Sequence, residues 1–162
     1  MEGLGNEASL VEKLLHVRGI PMFARLRVRE LVAVAHIASE RRCQKGEVVV
    51  REGEEGDVLY LVMKGEMSVL KAVAPGREAT LAKIGASDFF GEMALFDREP
   101  RSASVRADTE AHLLKIEAGA FTRIMELYPP IPMNICRVFS QRTRALHEKI
   151  QSSRFGVERA KL

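Results

Sequence analysis

At 162 residues with 46% apolar residues, the chain has enough apolar material for one core of ordinary size, and its formal charge of +3 marks no polyanion-binding protein by itself. Cys43 and Cys136 lie far apart and form no C-x-x-C pair, which excludes a disulfide framework and a thiolate zinc site and leaves two reduced thiols expected to be buried. The opening MEGLGNEASL has no basic stretch followed by an apolar core, and no run reaches the roughly 18 apolar residues of a membrane span, so a cytoplasmic chain is expected.

The first predicted element lies in ASLVEKLLHVRGIPMFARL. Ser9 with Glu12 three residues later has the form of a capping box, and Leu10, Leu14, Leu15 and Val17 fall on one side of the helix that follows. Gly19 and Pro21 end it. A second helix is predicted in RVRELVAVAHIASE, with Leu31, Val34, Ala35 and Ala38 on its apolar face. From residue 45 the period changes to short β-branched or alternating runs divided by Gly46, Gly53, Gly56, Gly65, Pro75-Gly76 and Gly85. Spacings of roughly 8–12 residues predict antiparallel strands in a barrel or jelly roll. SASVRADTEAHLLKIEAG adds strand. Helical spacing returns in AGAFTRIMELYP and, after Pro129, Pro130 and Pro132, in NICRVFSQRTRALHEKIQSS. Residues 137–162 carry seven Lys or Arg against Glu148 and Glu158, a net of +5 that reads either as a solvated helix face or as a contact for an acidic partner.

The segment FFGEMALFDREPRSASVRA, residues 89–107, interrupts the strands with Gly91, Glu92 and Arg101. A short helix opened by Gly91 would point free N–H groups and the positive end of its dipole at an anion, with Ala94 keeping the approach clear. Arg101 offers a planar fork of donors suited to two phosphate oxygens. Glu92 repels phosphate but accepts from a hydroxyl, so the three together describe a ribose phosphate site. The alternative from chemistry alone is that Glu92 and Arg101 pair with each other across a loop.

The same segment resembles the phosphate-binding cassette of the cyclic nucleotide-binding domain family, F-G-E, an apolar or small residue, A-L, a variable loop, then R, a small or hydroxyl residue, A-x-V. It supplies Phe90, Gly91, Glu92, Met93, Ala94, Leu95, then Arg101, Ser102, Ala103 and Val105. Upstream, GEVVVREGEEGDVLYLVMKGEMSVL resembles the family's glycine-punctuated strands, and the likeness covers roughly residues 9–150.

The resemblance implies a mainly β fold with flanking α-helices: an antiparallel β-roll (a double-stranded β-helix or jelly roll) with N-terminal helices and a C-terminal lid helix. One domain is expected over 1–162, with helices in 9–40, the roll in 41–117, the cassette at 89–105, helices in 118–153 and a tail in 154–162. It also implies that the Gly91–Ala94 region, Met93 within it, offers backbone amides to the cyclic phosphate, that Glu92 holds the ribose 2′-hydroxyl, that Arg101 holds the exocyclic phosphate oxygens, and that Leu95 belongs to an apolar wall, each wall residue being equally readable as ordinary core. Ser102 is an additional phosphate or base contact. Ala103, Leu61 and Met63 form an apolar wall.

In the lid helix Val138, Phe139, Arg142 and Leu146 share a face, which either covers the base, with Arg142 on the purine, or packs against a second copy as a homodimer seam. The implied ligand is cyclic AMP, with cyclic GMP as the second choice, and no cofactor or metal is called for. The expected role is a regulatory, non-enzymatic sensor that moves its last helix against a linked or associated effector. RFGVERAKL leaves no room for a DNA-binding helix-turn-helix. The chain is then a stand-alone subunit or a cytoplasmic domain of a larger protein. The alternative is a fold of this type without ligand, serving as an interaction scaffold. His16, His36, His112 and His147 stand singly, so neither a metal centre nor a catalytic constellation is indicated.

Overall fold

The computed structural model describes residues 8–97 and 99–159, with side chains for all of these except 94, 146, 149 and 152–159. Helix α1 (Leu10–Gly19) opens with the predicted capping box. The Ser9 N–H donates to Glu12 Oε2 at 2.7 Å, and the Glu12 N–H donates to Ser9 Oγ at 3.3 Å. Of the apolar face expected here, Val17 is fully buried and Leu14 partly so, whereas Leu10 and Leu15 are exposed. The helix rests on α2 (Val28–Ile37) along a stripe narrower than its apolar face.

Helix α2 follows its spacing closely. Leu31, Val34, Ala35 and the capping Ala38 are all buried. Glu30 is buried too, accepting the Arg27 N–H at 2.7 Å and pairing with the guanidinium groups of Arg27 (3.3 Å) and Arg29 (3.4 Å).

Eight strands follow: β1 (Ser39–Cys43), β2 (Val48–Val50), β3 (Val58–Lys64), β4 (Met67–Ala74), β5 (Arg77–Ile84), β6 (Phe89–Phe90), β7 (Ser104–Ala107) and β8 (Ala111–Glu117). They form two antiparallel four-stranded sheets, in the orders β1-β8-β3-β6 and β2-β7-β4-β5. The roll thus starts at Ser39 rather than 41, inside a stretch whose sequence reads as the end of α2. Pairing of Ser39–Cys43 with β8, residue by residue from Ser39↔Lys115 to Cys43↔Ala111, overrides that local preference.

Strand β3 divides the core by its alternation. Leu59, Leu61 and Met63 join the helices, packing with Val17, Phe23 and Phe121. Tyr60 and Val62 point into the roll, with Val50, Phe90 and Val105. Helix α3 (Ala118–Leu127) follows β8 directly. Helix α4 (Pro130–Arg159) begins at Pro130, four residues earlier than its spacing suggests, because Pro130 and Pro132 occupy the first turn, where a missing N–H breaks no helical bond. The side chain of Asn134 donates to the Met22 carbonyl and ties the start of α4 to the front helices.

Cys43 is buried, and burial pushes its thiol up; Cys136 is exposed on α4, contrary to expectation. Among the described residues no helix is long and apolar enough to cross a membrane.

Burial alone would push the Glu30 carboxyl up, but the Arg27 N–H and the two guanidinium groups together hold it below the usual carboxylate range. A folded-state value below the unfolded one contributes stability that is present above the unfolded value, about 4.3, and is lost as pH falls through the folded one. Thermal melting between pH 7 and pH 3 should therefore fall off below about 4.3, and less steeply in Glu30→Gln than in the wild type. Parallel melting curves for the two proteins would show that Glu30 carries none of the acid sensitivity.

Candidate functional site

Arg101 stands in the connection between β6 and β7, and its side chain is turned inward with only 9% of its surface exposed. Its main chain is fixed by the turn after β2: the Arg101 N–H donates to Glu54 O at 2.8 Å, and the Gly53 N–H donates to Arg101 O at 2.8 Å. The guanidinium lies between two glycines. A Cβ on Gly56 would come within 2.6 Å of Nε and Nη2; one on Gly91 would come within 2.6 Å of Nη1 and 2.7 Å of the Val58 carbonyl. Gly91 also has φ +82°, which only glycine adopts without strain.

Both hydrogen bonds of the guanidinium go to main-chain carbonyls, Nη1 to Gly91 O at 3.3 Å and Nη2 to Val58 O at 3.0 Å. No described carboxylate pairs with it. Glu92, half-buried in the same cavity lining, makes no ion pair among the described residues, so the alternative of a Glu92–Arg101 bridge is not what the chain adopts. A largely buried cation that retains free donors and lacks a counter-ion is an electrostatic demand for an anion.

The expected short helix is a single 3-10 turn, Met93–Leu95. Three residues sum too few peptide dipoles to matter, so the anion-binding argument passes from the helix dipole to the amides. The turn's first internal bond is Leu95 N–H to Glu92 O at 3.1 Å, leaving the amides of Met93 and Ala94 unused by it.

A cavity of about 180 Å³ opens here between the sheets. Gly91, Glu92, Arg101 and Ser102 give it a polar end; Val50, Val69 and Val105 give it an apolar wall. Of the predicted site residues, Gly91, Glu92, Met93, Arg101, Ser102 and Ala103 meet at this cavity. The side chain of Ala94 lies outside the described residues, as does that of Leu146.

Leu61 and Met63 do not line it. They occupy the face of β3 that packs on the helices, because neighbours on a strand point oppositely. Leu95 turns away as well, packing toward the helical core and lining a separate hollow beside Gly119 and Thr122. Arg142 is not in the lining, but its guanidinium lies 4.3 Å over the ring of Phe89, which is. Close by, Phe139 of α4 meets Phe96 edge-on at 6.0 Å.

Sequence reasoning missed the valine wall and the role of Gly56. The register Val69↔Val105 across β4 and β7 makes that wall, a pairing that strand alternation hints at but only the sheet order reveals. The main-chain acceptor at Val58 had no sequence signal.

The model of the cyclic nucleotide-binding domain matches residues 40–128, more than half of the chain and all of the site. The chain belongs to that family. It is 32% identical over 126 residues to a cyclic nucleotide-gated potassium channel of Rhizobium etli, covering 78% of this chain and 34% of the channel. It is also 32% identical over 106 residues to a CRP-like cAMP-activated global transcriptional regulator of Mycobacterium tuberculosis, covering 65% of this chain and 47% of the regulator. The regulatory domain of Toxoplasma gondii PKA, solved with cAMP, superimposes with a TM-score of 0.72 at 26% identity, covering 84% of this chain and 50% of that one. The chain thus spans half or less of each of these relatives. One is by name a channel gated by cyclic nucleotide, the other two are a regulator and a regulatory domain, and the fold shared with the solved kinase domain is the two-sheet roll with its helices.

Because both glycines leave no room for a side chain against Arg101, Gly91→Ala should lower the denaturation midpoint. The strain at φ +82° alone is worth about 1 kcal/mol or more. Gly56→Ala should be milder, since the guanidinium can shift, yet it should still disturb the cavity. Urea unfolding of both variants checks this order, and a Gly91→Ala midpoint equal to wild type contradicts the packing described.

Proposed function

We propose that this chain is a non-enzymatic sensor of a cyclic mononucleotide, cyclic AMP ahead of cyclic GMP, acting in the cytoplasm. The observation that carries the reading is the buried, carboxylate-free guanidinium of Arg101 at the closed end of the cavity. A cyclic phosphate supplies the missing negative charge, and its two exocyclic oxygens match the fork of donors. The amides of Met93 and Ala94, with Gly91 allowing close approach, complete the phosphate end. Glu92, paired with no cation among the described residues, accepts from the ribose 2′-hydroxyl. The valine wall receives the apolar faces of sugar and base, and Ser102 stands at the rim with its hydroxyl exposed. Preference for cyclic AMP is supported by the likeness to the cAMP-activated Mycobacterium regulator and to the Toxoplasma kinase regulatory domain solved with cAMP.

Output passes through α4 to a linked or associated effector. Arg142 over Phe89 and Phe139 against Phe96 join α4 to both flanks of the cassette, so a ligand that repacks the cassette alters the footing of that helix. The ligand drives this only by as much as it binds one arrangement better than the other. The exposed arginines of α4, Arg137, Arg142 and Arg144, suit an acidic effector, while the face with Val138 and Phe139 is the alternative seam for a second copy of the chain.

Calorimetric titration of ligand-stripped protein with cyclic AMP, cyclic GMP and 5′-AMP tests the reading. One cyclic nucleotide should saturate the site, with 5′-AMP much weaker; absence of binding at millimolar ligand leaves an interaction scaffold as the function. Arg101→Ala should cost about 2–5 kcal/mol of binding, roughly 30-fold to several thousand-fold, and an unchanged dissociation constant would remove Arg101 from the site. Glu92→Gln should weaken binding of cyclic AMP more than binding of 2′-deoxy cyclic AMP. Equal losses for the two ligands would show that Glu92 does not touch the ribose.

A further inference from the structure

Arg101 works only if its guanidinium is delivered to one place, yet the described residues of the segment that carries it, between the 3-10 turn and β7, have no regular secondary structure. What holds it is a ring of polar contacts outside the cavity. The Glu52 N–H donates to Ser104 Oγ at 2.9 Å. Glu52 Oε2 accepts the Ala72 N–H of β4 at 2.9 Å, and Glu52 Oε1 pairs with Lys71 Nζ at 2.6 Å. Lys71 Nζ in turn donates to the Ser102 carbonyl at 2.7 Å. The main-chain pair between Gly53 and Arg101 closes the ring. Arg101 is therefore gripped on both sides, by the turn carrying Glu52 and, one residue on, by the ammonium of Lys71.

Neither Glu52 nor Lys71 lines the cavity. Lys71 is 42% exposed, so the pair adds little to stability as a surface ion pair. Its geometric consequence is larger, since it fixes the carbonyl that immediately follows the phosphate-binding arginine, and a donor misplaced by a fraction of an ångström loses much of its hydrogen bond.

We propose that Glu52 and Lys71 are positioning residues for the phosphate end of the cavity, setting ligand affinity through the Ser102 carbonyl without touching ligand. This rests on the reading of the cavity as a cyclic nucleotide site. Lys71→Met removes the clasp while keeping the chain's apolar stem. Glu52→Gln keeps an acceptor for Ala72 but weakens the hold on Lys71.

The test is titration of the full chain with cyclic AMP, in the wild-type background and in an Arg101→Lys background, with thermal melting of every variant. Lys71→Met should weaken cyclic AMP by about 5- to 30-fold, the scale of one charge-assisted hydrogen bond, and Glu52→Gln by less. In Arg101→Lys, where there is no fork to aim, the same Lys71→Met change should cost less than about 2-fold, and its melting temperature should stay near that of its parent. An unchanged affinity in Lys71→Met overturns the proposal. So does an equal loss in both backgrounds, which would mark a general structural effect. If the wild-type chain itself binds no cyclic nucleotide, the site reading fails first and the positioning role falls with it.

Discussion

The rest of the site depends on one unfavourable act, the burial of a guanidinium without a carboxylate. Desolvating Arg101 is tolerable because two main-chain carbonyls accept from it and because Gly56 and Gly91 let those segments close around it. Carbonyl dipoles satisfy hydrogens but do not neutralise charge. A carboxylate in their place would make a complete ion pair, which would stabilise the empty cavity and remove the demand for ligand. Glu92 lines the same cavity and does not pair with Arg101, so in the sensor reading the two residues are free to serve different parts of one ribose phosphate.

The fold explains how the two stay unpaired. Arg101 enters from the β6–β7 connection with its main chain stitched to the turn after β2, while Gly91 and Glu92 arrive from the end of β6, itself paired to β3 through Tyr60↔Phe90. Tyr60 stacks on Phe90 with ring centroids 4.9 Å apart, and Arg41 lies 5.6 Å over Tyr60, so the strand leading to Gly91 is anchored by a layer of aromatic contacts inside the roll. Arginine and carboxylate thus descend from different sheets, and their separation is a property of sheet order.

This also sets the limit of what could be read from residue order. The capping box of α1, the buried face of α2 and the cassette itself are local patterns, and local patterns survive folding where no distant contact opposes them. Leu10 and Leu15 have helical spacing but lie exposed, because how much of a face is covered depends on how its neighbour is placed. Ser39–Cys43 has weak strand character and becomes a strand only because β8 is there to pair with it. Leu61 and Met63 were assigned to the cavity by strand membership alone; which face of β3 looks inward is decided by helices far away in sequence. The same holds within the site, where Arg101 and Glu92 are legible as chemistry, and the Val58 carbonyl, the valine wall and the Glu52–Lys71 clasp are legible only as geometry.

Helix α4 joins these levels. Its first turns are bound to the body through Asn134 and the Met22 carbonyl and through buried Ile131 and Ile135. Further on, Phe139 and Arg142 reach Phe96 and Phe89 of the cassette region by ring contacts, each worth about 0.5–1.5 kcal/mol, and Phe139 also packs partly on the helical core. Among its described residues, the helix is held by buried side chains at its start and more lightly beside the cavity. In the sensor reading, these two ring contacts are the part of the footing of α4 that a ligand in the cavity repacks, and their energy is within the differential binding energy that a neutralised, donor-bonded phosphate supplies.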